Sequence, residues 1–197
     1  MKKIGQVIGV VLVLMFSSFP LTTAWAGEDI AALRAKAEAG DANAQTRLGV
    51  LYETGDGVPK DYGKAAHWYR LAANQGVAEA QASLGFLYDE GWGVPQDYGK
   101  AAHWYRLAAN QGNDHAELYL GTLYYYGRGV PQNYARAYKW WILAKAAGNK
   151  YASKDLDLLM PQMTKEQIAE GQRLAEEWMA MKNGSAPSAK ARTNPFP

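Results

Sequence analysis

His67 and His103 are the side chains best suited by type to metal or proton chemistry. They stand 36 residues apart inside one shared segment, KAAHWYRLAAN. Imidazole ligates divalent metals and titrates near neutral pH. The next equivalent position, however, is Lys139, and a position that accepts Lys reads as a solvated face. Adjacent helices also lie about 8–10 Å apart, which disfavours one ion shared between the two histidines. His115 stands alone and reads as structural. The glycine pairs Gly55/Gly57, Gly91/Gly93 and Gly127/Gly129 have the look of a phosphate cradle, but no Lys-Ser/Thr follows them, so they read as turns. Glu176-Glu177 and the pair Asp155/Asp157 fall on helix surfaces without a convergent partner. No nucleophile with a paired base can be assembled. Trp68, Trp104, Trp140 and Trp141 recur in one helix and read as core. Cysteine is absent, which excludes disulfides and thiolate metal sites. No catalytic, cofactor-binding or metal-ligating residue is assigned, and a non-enzyme without a cofactor is expected.

The elements that carry these residues repeat. VPKDYGKAAHWYRLAANQG runs from Val58 to Gly76 and returns from Val94 to Gly112 with one change, Lys60 to Gln96; a looser copy, VPQNYARAYKWWILAKAAG, runs from Val130 to Gly148. A fixed period of 36 residues is the signature of stacked units that bury their apolar faces against neighbours. Two helices fit each period. Helix A covers roughly Ala44 to Glu53 in the first unit, with Ala44, Leu48, Leu51 and Tyr52 on one face. Pro59, Pro95 and Pro131 stop any continuation of helix A. Helix B starts from the N-cap residues Asp61, Asp97 and Asn133. It ends just before Gly76, Gly112 and Gly148, where a left-handed C-cap is expected.

The ends of the chain break the pattern. Residues 1–26, with Lys2-Lys3, the apolar stretch Ile4 to Phe16 and Ala24-Trp25-Ala26, have the layout of a secretory signal peptide. Without them the chain carries 19 Lys+Arg against 19 Asp+Glu, since only Lys2 and Lys3 are lost from the 21 basic residues. Such a neutral surface gives no reason to expect nucleic acid as a partner, and no membrane span is expected after cleavage. Residues 27–43 read as an orphan helix B, 44–151 as three full repeats, 152–182 as a capping unit opened in part by the Thr164/Gln167 capping box, and 183–197 as a disordered tail.

The pattern A-x-x-x-L-G-x-L-Y-x-x-G-x-G-V at Ala44 to Val58, Ala80 to Val94 and Ala116 to Val130, joined to D-Y-x-K-A-x-x-W-Y-x-x-A-A-x-x-G in helix B, resembles Sel1-like repeats, relatives of the tetratricopeptide class. The resemblance covers nearly all of the chain after residue 26. It implies an all-α, right-handed α/α superhelical solenoid of helix-turn-helix repeats that serves as a protein–protein interaction scaffold, often exported by bacteria. The cysteine-paired members of that family that have been linked with β-lactam binding are not matched.

Comparing the copies separates scaffold from candidate surface. Helix B is almost unchanged between the first two copies, while helix A and its loop vary. On a helical wheel centred on Leu48, the outward stripe is Thr46, Val50, Glu53; then Ala82, Phe86, Asp89; then Leu118, Thr122, Tyr125. The loop positions change from Thr54 to Glu90 to Tyr126 and from Asp56 to Trp92 to Arg128. Aromatic residues dominate binding hot spots. The expected partner-binding residues are therefore Val50, Glu53, Phe86, Asp89, Glu90, Trp92, Leu118, Tyr125 and Tyr126, on the concave helix A side implied by the resemblance. The same aromatics could instead pack the neighbouring repeat. The expectation is an exported, periplasmic or secreted, monomeric adaptor or inhibitor/immunity-type protein that binds a protein or peptide. The alternatives are a cell-envelope enzyme or small-ligand binder, and a secreted factor that binds a host protein.

Overall fold

The computed structural model describes residues 30–184. The expected signal peptide, and all of the expected tail beyond residue 184, lie outside the described residues. Within them the chain is all-helical, as the repeat pattern requires. Its elements are α1 (Ile30–Glu38), α2 (Ala42–Thr54), α3 (Tyr62–Asn74), α4 (Ala78–Glu90), α5 (Tyr98–Asn110), α6 (Asp114–Tyr126), α7 (Tyr134–Ala146), α8 (Ala152–Leu159), a 3₁₀ turn (Met160–Gln162) and α9 (Lys165–Lys182). The described residues divide into two units, 30–96 and 97–184. In the first, α1 packs on α2, α2 on α3 and α3 on α4; in the second, α5 packs on α6, α6 on α7, and α7 on both α8 and α9.

Local chemistry sets where each helix starts and stops. Asp61, Asp97 and Asn133 accept the backbone N–H of Lys64, Arg136's counterpart Lys100, and Arg136 itself, each at 2.9 Å. Each side-chain oxygen thereby satisfies one of the donors that a helix start leaves unpaired. At the other end of α3, Gly76 N–H donates to Ala73 O and Val77 N–H to Ala72 O. This is a Schellman closure, and it requires the left-handed φ of 90° that Gly76 supplies. Asp41, Asn113 and Asn149 make the equivalent bond after α1, α5 and α7.

Three interlocks recur at fixed register. Arg34, Arg70 and Arg106 of one helix B each donate to the hydroxyl of a tyrosine in the next helix A, namely Tyr52, Tyr88 and Tyr124, at 2.7, 3.0 and 3.4 Å. At the fourth register both partners have changed, to Ile142 and Met160, and the series ends there. Gln45 and Gln81 donate from helix A to Ala37 O and Ala73 O, at 3.0 and 3.1 Å. The second loop glycine seats backbone on backbone: a Cβ on Gly93 would overlap the Tyr62–Gly63 peptide, and one on Gly129 the Tyr98–Gly99 peptide.

The core of the first unit gathers Leu33, Ala37, Ala44, Leu48 and Leu51, with Ile30, Val58 and Trp68 packed against it. In each of two repeats a helix A glycine makes room for an aromatic ring of its own helix B: a Cβ on Gly49 would collide with the edge of the Tyr69 ring, and one on Gly121 with that of Trp141. The capping box of Thr164 and Gln167 is formed and opens α9. That helix lies close against α7 at Gly171, where a Cβ would stand 2.7 Å from the Tyr138 ring and 2.9 Å from Ala135 O. Trp178 of α9 meets Trp140 edge to face at 6.2 Å.

Candidate partner-binding surface

Helix A is buried on more than one side. In α6 the run Ala116 to Gly121 is buried without a break, and Leu123 and Tyr124 follow. The reason is its position between α5 and α7, so that it has no single solvent face. A wheel that assigns one core stripe and one outward stripe does not fit such a helix. The expected outward stripe is corrected accordingly. Phe86 is 3% exposed, Leu118 and Thr46 are each 6% exposed, and none of the three presents an open surface. Val50, Glu53, Asp89, Glu90, Trp92 and Tyr125 are half-buried. Of the nine residues, Tyr126 stands out as exposed, at 47%.

Glu53 has a structural partner. Tyr69, from helix B of the same repeat, donates its hydroxyl to Glu53 Oε2 at 2.6 Å. Burial pushes the Glu53 carboxyl above its ordinary range, while the Tyr69 hydrogen bond and the Lys60 charge pull it back. Asp89 contributes its carbonyl, which accepts from Gln96 Nε2 at 2.6 Å. Val50 O accepts the Thr54 hydroxyl at 2.9 Å.

The aromatic residues come together inside each unit. In the first, Trp92 meets Phe86 edge to face at 5.3 Å and leans on Tyr62 at 4.8 Å, with Lys60 Nζ 4.7 Å from the centre of the Tyr62 ring. In the second, Tyr125 contacts Tyr126 at 4.8 Å, Tyr134 at 5.6 Å and Trp141 at 5.6 Å. Gln162 Nε2 donates to the Tyr125 hydroxyl at 2.9 Å, which sets the 3₁₀ turn beside the end of α6. Arg128 lies over Tyr126 at 4.8 Å and over Tyr98 at 5.5 Å.

The variable loop position thus has a consistent task. Trp92 covers Tyr62 and Arg128 covers Tyr98, in each case the tyrosine that opens the preceding helix B. The tyrosines Tyr62, Tyr98 and Tyr134, and Arg128 itself, belong to these clusters but are absent from the residues expected on sequence grounds. Their signal was available in the loop's 36-residue register, because the tyrosine is constant while its cover changes.

His67 and His103 are exposed and stand edge-on to Trp68 and Trp104 at 5.1 Å. Among the described residues, no group of three or more His, Asp or Glu could hold a metal ion, and no helix is long and apolar enough to cross a membrane.

Comparison with known proteins agrees with this architecture. The Sel1 repeat family matches at residues 42–77, 78–113 and 114–149. A Sel1 repeat protein from Oxalobacter formigenes superposes with a TM-score of 0.59 at 38% identity, over 66% of this chain and 97% of that one. A protective antigen of uropathogenic Escherichia coli that displays the SLR fold gives 0.65 at 30% identity, over 81% of this chain and 38% of that one. Helicobacter pylori cysteine-rich protein B, at 23% identity and a TM-score of 0.52, over 66% of this chain and 98% of that one, shares the fold alone. No curated protein sequence matches the chain. Three consecutive 36-residue matches, in the same register as the caps, interlocks and glycine seats, establish that the chain belongs to the Sel1 repeat family.

Proposed function

We propose that this protein is an exported, non-catalytic scaffold that holds a protein or peptide partner at the loop edge of its helix A elements. Sel1-repeat proteins generally mediate protein–protein interaction, and the family is generally non-catalytic. The observation that carries the reading is the aromatic group at the end of α6. There Tyr126 is exposed over Tyr125, flanked by Arg128 and by the turn that carries the exposed Met160. Tyrosine beside arginine on a rigid base loses little conformational freedom on binding, which suits a hot spot. Export rests on residues 1–26, and the periplasm is the proposed compartment. The test is photo-cross-linking in the protein's own cells, with the probe at position 126 and a control probe at His67. Capture of one protein from position 126 only, lost when Arg128 is replaced by Ala, supports the reading. Equal labelling from both positions overturns it.

A further inference from the structure

The register position held by Gln45 and Gln81 is Glu117 in the third repeat. Each glutamine is buried and gives its amide hydrogen to a carbonyl eight residues back, Ala37 O or Ala73 O. The corresponding carbonyl is Ala109 O. The turn that carries it closes in the same way, with Gly112 N–H on Ala109 O at 2.8 Å and Asn113 N–H on Ala108 O at 3.1 Å. A carboxylate has no hydrogen to give there, whereas a carboxylic acid has one. Glu117 is nevertheless 2% exposed, and its Oε2 is buried without a hydrogen-bond partner.

Charged groups face it from three helices. Lys182, on the last turn of α9, and Lys139 of α7 attract a negative Glu117, and Asp114, one turn earlier in α6, opposes them. Burial and then the Arg136 charge lower the Lys139 ammonium to about 8, while Glu117 and Glu177 act to raise it. The α5 side offers uncharged helix-end carbonyls. Lys182 reaches across Gly112, where a Cβ would collide with its ammonium, and lies 4.8 Å from the Trp178 ring centre. Lys182 thus reaches from the C-terminal end of α9 to the turn that opens the third repeat, where a carboxylate that attracts it sits in a glutamine's place.

We propose that Glu117 is a proton-operated latch for the C-terminal end of α9. Ionised, it holds Lys182 and with it the last turn of α9 against the third repeat. Protonated, its carboxyl donates to the Ala109 carbonyl, as Gln45 and Gln81 do at their positions, and Lys182 is released. Burial is the main cause that raises the carboxyl to about 7, so the exchange falls between mildly acidic and mildly basic solution.

Peptide-resolved hydrogen exchange of the α9 end in the full chain tests this, with rates corrected for the intrinsic pH dependence. In the native protein, protection of the last turn falls roughly two- to fivefold from pH 8 to pH 6, the size expected of a partly exposed ion pair. Glu117→Gln restores the residue type of the other two repeats and so keeps the fold; it shows the lower protection at both pH values. Lys182→Met does the same. Native protection that does not change with pH, or a pH response that survives in either variant, overturns the latch.

Discussion

The Tyr69 hydroxyl donates to Glu53 Oε2 at 2.6 Å, joining helices B and A of the first repeat through a fully buried ring and a half-buried carboxylate. Tyr69→Phe keeps the ring over Gly49 and removes the hydroxyl, which bonds Ser83 as well as Glu53. The carboxylate then loses a charge-assisted bond, and the expected cost is about 1–3 kcal/mol at pH 7. Without that bond the Glu53 carboxyl rises further. A raised folded-state pKa means that the folded protein keeps its proton where the unfolded chain has lost it, so stability falls as pH rises through that interval. The variant should therefore be hurt more at pH 7 than at pH 4. Urea unfolding at the two pH values measures the difference, and an equal cost at both would show that the bond does not act through the carboxylate's charge.

The helix boundaries were legible because single residues set them: Asp61, Asp97 and Asn133 cap by themselves, and Gly76 supplies its own φ. The all-helical repeat and its family followed from the same local marks. The candidate surface was legible only in part. Tyr126 and Trp92 stand at loop positions, where variation between copies points outward. Phe86 of α4 and Leu118 of α6 lie on helices that are buried on more than one side, and one chain's periodicity cannot show how many sides of a helix are covered. The substitution of Glu117 for Gln45 and Gln81 was visible in the register, but its meaning depends on a carbonyl and a distant lysine that only the fold brings near.

The two loop glycines Gly57 and Gly93 have nearly the same φ, 69° and 68°, but different neighbours. A Cβ on Gly57 meets the Ile30 Cδ1 end at 2.8 Å, which can move, whereas a Cβ on Gly93 meets the Tyr62–Gly63 backbone, which cannot. Both alanine variants bear the left-handed penalty of about 1–2 kcal/mol. Gly93→Ala must also separate the start of α3 from the loop that follows α4, so its total should exceed about 3 kcal/mol. Thermal melts of the two variants decide this, and matching losses would refute the backbone seat.

Glu117 makes stability itself depend on pH. Its carboxyl rises from 4.5 to about 7, chiefly through burial. The folded state thus holds a proton that the unfolded chain releases, and the contribution of Glu117 to stability declines as pH increases from about 4.5 to 7 and is level above. A rise of that size corresponds to about 3 kcal/mol at most, reduced to about 1–2 kcal/mol by residual screening. Glu117→Gln, with its amide donor back in place, should be more stable than the native protein by that amount at pH 8 and nearly equal to it at pH 4.5. Chemical denaturation across this range reads the difference directly, and a constant offset would contradict it.

Phe86 and Tyr126 separate packing from recognition. Phe86 is buried and braces Trp92, so Phe86→Ala opens a cavity and should cost about 3–5 kcal/mol. Any loss of partner binding in that variant would report misfolding as much as contact. Tyr126 projects from the end of α6 and rests on Tyr125 and Arg128. Tyr126→Ala should change stability by no more than about 0.5 kcal/mol while weakening the partner by about 2 kcal/mol or more, a factor of roughly 30 in Kd. Melting and titration against the partner captured at position 126 give both numbers on one sample. A Tyr126→Ala protein that melts normally and binds with unchanged Kd would remove this edge from the interaction surface.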